Sequence, residues 1–285
     1  MKAQHALYRS PGVYSGLFVK RAQRPVSADA VCASAARLFE AFAADRTASV
    51  LVALQPELLQ LEAPPLLPRQ SATHRFPSTQ AQLLVQVAAD TREALLGAHR
   101  RVDAITRELF WLDEELLAGR IGDGREPFGF RDGIHPPTPS EVESDGVVAS
   151  GPLAGSAWIL YLRFEQRLER FALLGEHARE QVMGIRTDGT HLAEPARNSH
   201  VGIARRYHGF VRRGFPCRAN GVEGLAFVGV SAKPEHFRRA LDAMLGTDEE
   251  PPDALLRYAT AVSGGLYLAP PDAAWLRGRS PRGSP

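Results

Sequence analysis

At 285 residues, with 44% apolar and 23% charged side chains and a formal net charge of +2, the sequence has globular composition. That balance excludes a disordered or fibrous chain, and no dense basic run points to a dedicated nucleic-acid or membrane-surface binder. The length allows one large domain or two packed halves, with enough burial to enclose a large cofactor. Lysine occurs only at Lys2, Lys20 and Lys233, and the remaining positive charge is arginine. Cys32 and Cys217 carry neither metal nor disulfide spacing and read as reduced interior residues. The opening MKAQHALYRSPG lacks the apolar stretch of a signal peptide, and no apolar run reaches the ~18 residues of a membrane span, so a cytoplasmic location is expected.

In chain order, Val13 to Val19 is rich in β-branched and aromatic residues and predicts a strand. Ser27 begins a helix in which Val31, Ala35, Leu38, Phe39 and Phe42 recur on one face. Ser49 to Leu54 predicts a second strand, Gln55 to Pro77 a Pro-rich loop, and Gln82 to Ala88 a third strand. Asp90 or Thr91 caps a helix to about Arg101, and Ile105 to Leu112 completes the unit. Strand, helix, strand, strand, helix, strand is the order of a ferredoxin-like module.

A looser repeat follows. Ser156 to Phe164 predicts a strand, one or two helices lie before Val182, and Tyr207 to Arg212 and Leu225 to Ser231 predict strands. Lys233 to Leu245 is a clear helix, with Pro234 in its first turn and Gly246 stopping it. Gly264 to Leu268 is a short last strand, and a disordered tail is expected from about residue 277. The expected class is α+β, with antiparallel sheets flanked by helices, in halves at 1–125 and 126–285.

Three segments could carry chemistry. In EPFGFRDGIHPP (126–137), Asp132 lies between glycines. Asp-Gly is a common turn pair, but an aspartate on a stiff loop beside apolar walls also suits proton exchange near neutrality. In Asn198-Ser199-His200-Val201, placed before an expected strand, a lone histidine is either structural or a ligand; His208 competes with it. In Phe210-Val211-Arg212-Arg213-Gly214-Phe215-Pro216 the arginines are either solvated or, given apolar neighbours, at least one is drawn inward.

The order of these three segments resembles the dye-decolorising peroxidase family. Matching stretches include AGSAWILYLRFEQRLERFALL, GLAFVGVSAKPEHFRRALDAMLG and DALLRYATAVSGGLYLAPP. The resemblance implies two ferredoxin-like halves in a barrel-like α+β arrangement, with haem b in the C-terminal half and assembly into a homo-oligomer. It also implies hydrogen peroxide as oxidant, an oxoferryl intermediate, and an organic reductant such as a dye or phenolic. His200 matches the iron ligand, Asp132 the distal aspartate, Arg212 the distal arginine and Asp253 the carboxylate behind the ligand; Arg205 and Phe215 are assigned to the cofactor pocket. The chain departs from the family at Gly202 and Ile203, where an arginine is common, and at Gly214, where a polar residue is frequent. Those departures keep two alternatives in view, a haem enzyme with a specialised oxidation and a non-catalytic haem-binding protein. Trp111, Trp158, Trp275 and Tyr258 are candidates for electron relay or simple packing.

Overall fold

The computed structural model describes residues 3–8, 14–119, 125–131, 137–219, 221–247 and 249–279. In the first half, strand β1 (Tyr14–Ala22) leads to helix α1 (Ala28–Phe42), whose N-terminus is capped by the Ser27 hydroxyl accepting from Ala30 N. Strands β2 (Ala48–Leu54) and β3 (Leu83–Ala89) follow, then helix α2 (Arg92–Thr106) and strand β4 (Phe110–Gly119). The expected strand at Ile105 is displaced because α2 continues. Leu95, Ala98, Val102 and Thr106 keep one helix face buried, and Thr106 Oγ1 donates back to Val102 O at 2.8 Å. Most of the Pro-rich stretch is loop, with a two-stranded ribbon pairing Arg69–Gln70 with Arg75–Phe76.

The second half repeats the order. It comprises β5 (Ala157–Gln166), helices α3 (Leu168–Ala172), α4 (Glu176–Met183) and α5 (His200–Arg206), strands β6 (Val211–Ala219) and β7 (Val222–Ser231), helix α6 (Pro234–Leu245) and strand β8 (Ala259–Ala269). Both β6 and β8 differ from expectation: β6 starts at Val211 and runs past Pro216, and β8 is the longest strand. The tail expected from residue 277 is helical through Arg279, within α7 (Ala273–Arg279). Trp275 and Leu276 bury against the core and Arg277 pairs with Glu40 of α1, which gives that segment a tertiary reason to be ordered.

The strands close an eight-membered barrel in the order β1-β3-β2-β8-β5-β7-β6-β4. Each half contributes a four-stranded antiparallel sheet in which the first and third strands are central. The two sheets meet along seams with sparse pairing, Leu268 with Leu54 on one side and Ala118 with Cys217 on the other. Gln4 bridges the first seam: its amide donates to Val52 O at 2.7 Å and Pro270 O at 2.8 Å, and accepts from Val52 N at 2.9 Å. The barrel interior is filled by side chains including Leu17, Leu51, Ile159, Tyr161, Phe215, Val228 and Tyr267. Helices cover the outer face over a second core that includes Phe18, Val85, Leu160 and Phe237. No helix among the described residues is long and apolar enough to cross a membrane.

Candidate active site

Ser199 is buried and caps α5, accepting from Gly202 N at 3.3 Å, so His200 is the first residue of a helix and not the lead-in to a strand. The hydroxyl is enclosed by two glycines. A Cβ on Gly202 or on Gly184, which ends α4 with φ +85°, would fall 2.6 Å from Ser199 Oγ. A larger side chain at 202 has no room while that cap is in place.

His200 Nδ1 meets Asp253 Oδ2 at 2.7 Å. The other oxygen of Asp253 accepts from Leu255 N at 2.9 Å, capping the turn Ala254–Arg257, and the side chain is fully buried. Backbone bonds Asp253 N to Met244 O (2.9 Å) and Ala254 N to Asn198 O (3.0 Å) lock this turn to α6 and to the segment ahead of His200. The imidazole keeps 34% of its side-chain surface accessible, so one edge is open while Nδ1 is committed. Burial works to lower its pKa, but the charge and hydrogen bond of Asp253 outweigh that and raise it; Arg212 opposes and Glu126 assists. His208, the competing histidine, is exposed past the end of α5, and Arg205 is exposed in its last turn.

Strand β6 alternates, so its two arginines face opposite ways. Arg213 points into the barrel, where it donates to Ala6 O at 3.1 Å and to Leu7 O. Arg212 points outward, toward the helices. Its Nη2 donates to Ala204 O at 3.0 Å and to Tyr207 O, at the end of the helix that begins with His200, and its guanidinium lies 4.0 Å over the Phe210 ring. Burial lowers its pKa to about 10, which leaves it cationic at neutral pH. Phe215 shares the Arg213 face and fills the barrel, so the strand's alternation separates it from Arg212 and removes it from the same pocket.

Asp132 lies outside the described residues, but the loop that leads to it is firmly built. Glu126 accepts from Phe128 N at 2.9 Å and Phe130 N at 3.0 Å, around Gly129 at φ +88°. Arg125 donates to Gly129 O at 2.6 Å and Thr187 O at 2.8 Å. Phe128 and Phe130 are buried against Phe171, which in turn packs edge-on to Tyr258. Sequence reasoning missed Glu126 as the brace of this loop; a carboxylate two and four residues before amides framing a glycine was the available signal. Trp158 and Trp275 are buried, whereas Trp111 is exposed.

A histidine with one nitrogen held by a buried carboxylate and the other side open is a donor set that fits an iron porphyrin. Among the described residues there is no cluster of three or more His, Cys, Asp or Glu that could hold a bare metal ion. Residues 123–274 match the family model for the C-terminal part of Dyp-type peroxidases, and this chain belongs to that family. It is similar to a dye-decolorizing peroxidase of Mycobacterium tuberculosis, 27% identical over 215 residues, 69% of this chain but only 63% of that protein's length. A dye-decolorizing protein of V. cholerae shares the fold, with a TM-score of 0.84 and 24% identity, covering 96% of this chain and 99% of that one. So does a DypB variant of Rhodococcus jostii RHA1 solved in complex with haem, with a TM-score of 0.83 and 18% identity over 95% of this chain and 96% of that one.

Proposed function

We propose that this chain is a haem-dependent peroxidase that uses hydrogen peroxide to oxidise an organic reductant, with haem b held by His200. The observation that carries this reading is the 2.7 Å contact between His200 Nδ1 and a fully buried Asp253. With Nδ1 donating to the carboxylate, the lone pair sits on Nε2, the nitrogen that would hold iron. Bound haem supplies the iron centre at which the peroxide O–O bond is cleaved. The chain's part is proton handling and charge. Ionised Asp132 takes a proton from the incoming peroxide and returns it to the leaving oxygen. Arg212 stays cationic and offers its N–H groups to the charge that grows on oxygen.

A second reading, haem binding without peroxidase turnover, is favoured by one feature: Arg212 Nη2 is already committed to two carbonyls of α5. Transient kinetics separate the two. In haem-loaded protein mixed with peroxide, Asp132→Asn or Arg212→Leu should slow the first spectral change at least tenfold, about 1.4 kcal/mol of barrier. If wild type shows no peroxide-dependent change, or if both variants match it, the peroxidase reading is wrong.

A further inference from the structure

The ribbon at 69–76, the start of α3, and the turn and strand after Asp253 come together around a cavity of ≈ 550 Å³. Its walls carry Arg75, Arg167, Arg170 and Arg257 with His74, and no carboxylate lines it. The whole chain is nearly neutral, with 34 Lys and Arg against 32 Asp and Glu, so this is a local concentration of one sign. Among the described residues no ion pair reaches any of these four arginines; Arg167 reaches only Thr260 Oγ1 at 3.4 Å, and Arg170 lies 5.9 Å over Tyr258. Asp253 is the acid felt at His74, and its oxygens are taken by His200 and Leu255 N. Buried Leu256, Ala259 and Ala261 supply an apolar floor.

Like charges gathered in a concavity repel one another and focus the field, and an anion relieves that repulsion. Guanidinium forks match carboxylate geometry, and the volume is that of a site for a small organic molecule. Neither His200 nor Arg212 lines the cavity.

We propose that this cavity binds a small organic dianion with an apolar body, an aromatic dicarboxylate in kind, gripped by arginines from separate chain segments. The proposal does not depend on peroxidase activity. The probe is naphthalene-2,6-dicarboxylate, titrated calorimetrically into the haem-loaded full chain at low salt. Wild type should bind it. The doubles Arg75→Glu/Arg257→Glu and Arg75→Ala/Arg257→Ala, all at exposed positions, should bind at least tenfold more weakly. Arg92→Glu, an exposed change on α2, should bind as wild type does. No binding by wild type, undiminished binding by both doubles, or an equal loss in Arg92→Glu would overturn the proposal. Displacement of the probe by an equal concentration of inorganic phosphate would overturn the requirement for an apolar body.

Discussion

At the scale of single residues, the fate of each arginine and acid follows from which face of its element it occupies. Arg212 and Arg213 are adjacent in sequence, yet pleating sends one toward the helices and the other into the barrel. Their motif pointed to at least one buried arginine, and burial acts on both, but only register against β7 distinguishes them, with Arg212 opposite Gly229 and Arg213 opposite Val228. Asp45 shows what a well-used carboxylate does for stability. It accepts from Thr47 N and Oγ1 at 2.8 Å and from Ala48 N at 3.0 Å, and pairs with Arg101 of α2. Burial pushes its pKa up, but these bonds, Arg101 foremost, hold it well below the usual carboxylate range. A depressed folded pKa means that the stabilisation is complete above the unfolded value of about 3.9 and is lost as pH falls toward the folded one. Asp45→Asn should therefore lower stability by about 2 kcal/mol at pH 7. The gap from wild type should narrow steadily in urea titrations repeated toward pH 2; a gap independent of pH would remove Asp45 from the acid response.

Among the elements, those whose cap was joined to strong periodicity were legible, and a short element held by its cap and tertiary packing alone was not. The apolar face of α6 and its Pro234 and Gly246 punctuation set both of its ends. By contrast α5 spans seven residues, contains Gly202 and β-branched Val201, and lacks Glu or Gln three residues after its cap, so nothing in its pattern separates it from a strand entry. What holds α5 is Ser199 enclosed by Gly184 and Gly202. Ser199→Ala should cost about 1 kcal/mol through the lost cap. Gly202→Ala should cost about 1–3 kcal/mol, because its methyl meets the hydroxyl. The double variant should cost less than the sum, since removing the hydroxyl removes the collision. Strict additivity in equilibrium unfolding would show that the cap and the glycine do not interact.

On the scale of the whole molecule, the repeated strand–helix order was readable from the residues, whereas the barrel-like arrangement came only with the family resemblance and its seams from neither. The seams rest on long-range pairs, Leu54 with Leu268 and Ala118 with Cys217, and on an N-terminal turn whose role no local pattern carries. Gln4→Ala removes three hydrogen bonds at the first seam and leaves Val52 N and O unpaired there. A loss of about 2–4 kcal/mol is expected in denaturant unfolding, and an unchanged midpoint would mean that the strands alone close the barrel. His200, Asp253 and Arg212 come from three separate segments of the second half. The central claim is that this assembly presents His200 to iron, and the absorption spectrum of haem-reconstituted protein tests it most directly. Wild type and His208→Ala should show the same sharp Soret band at full occupancy. His200→Ala should lose most of its haem or show a shifted, broadened band, and added imidazole should restore the wild-type position. A wild-type spectrum from His200→Ala, or the loss in His208→Ala instead, would contradict the assignment.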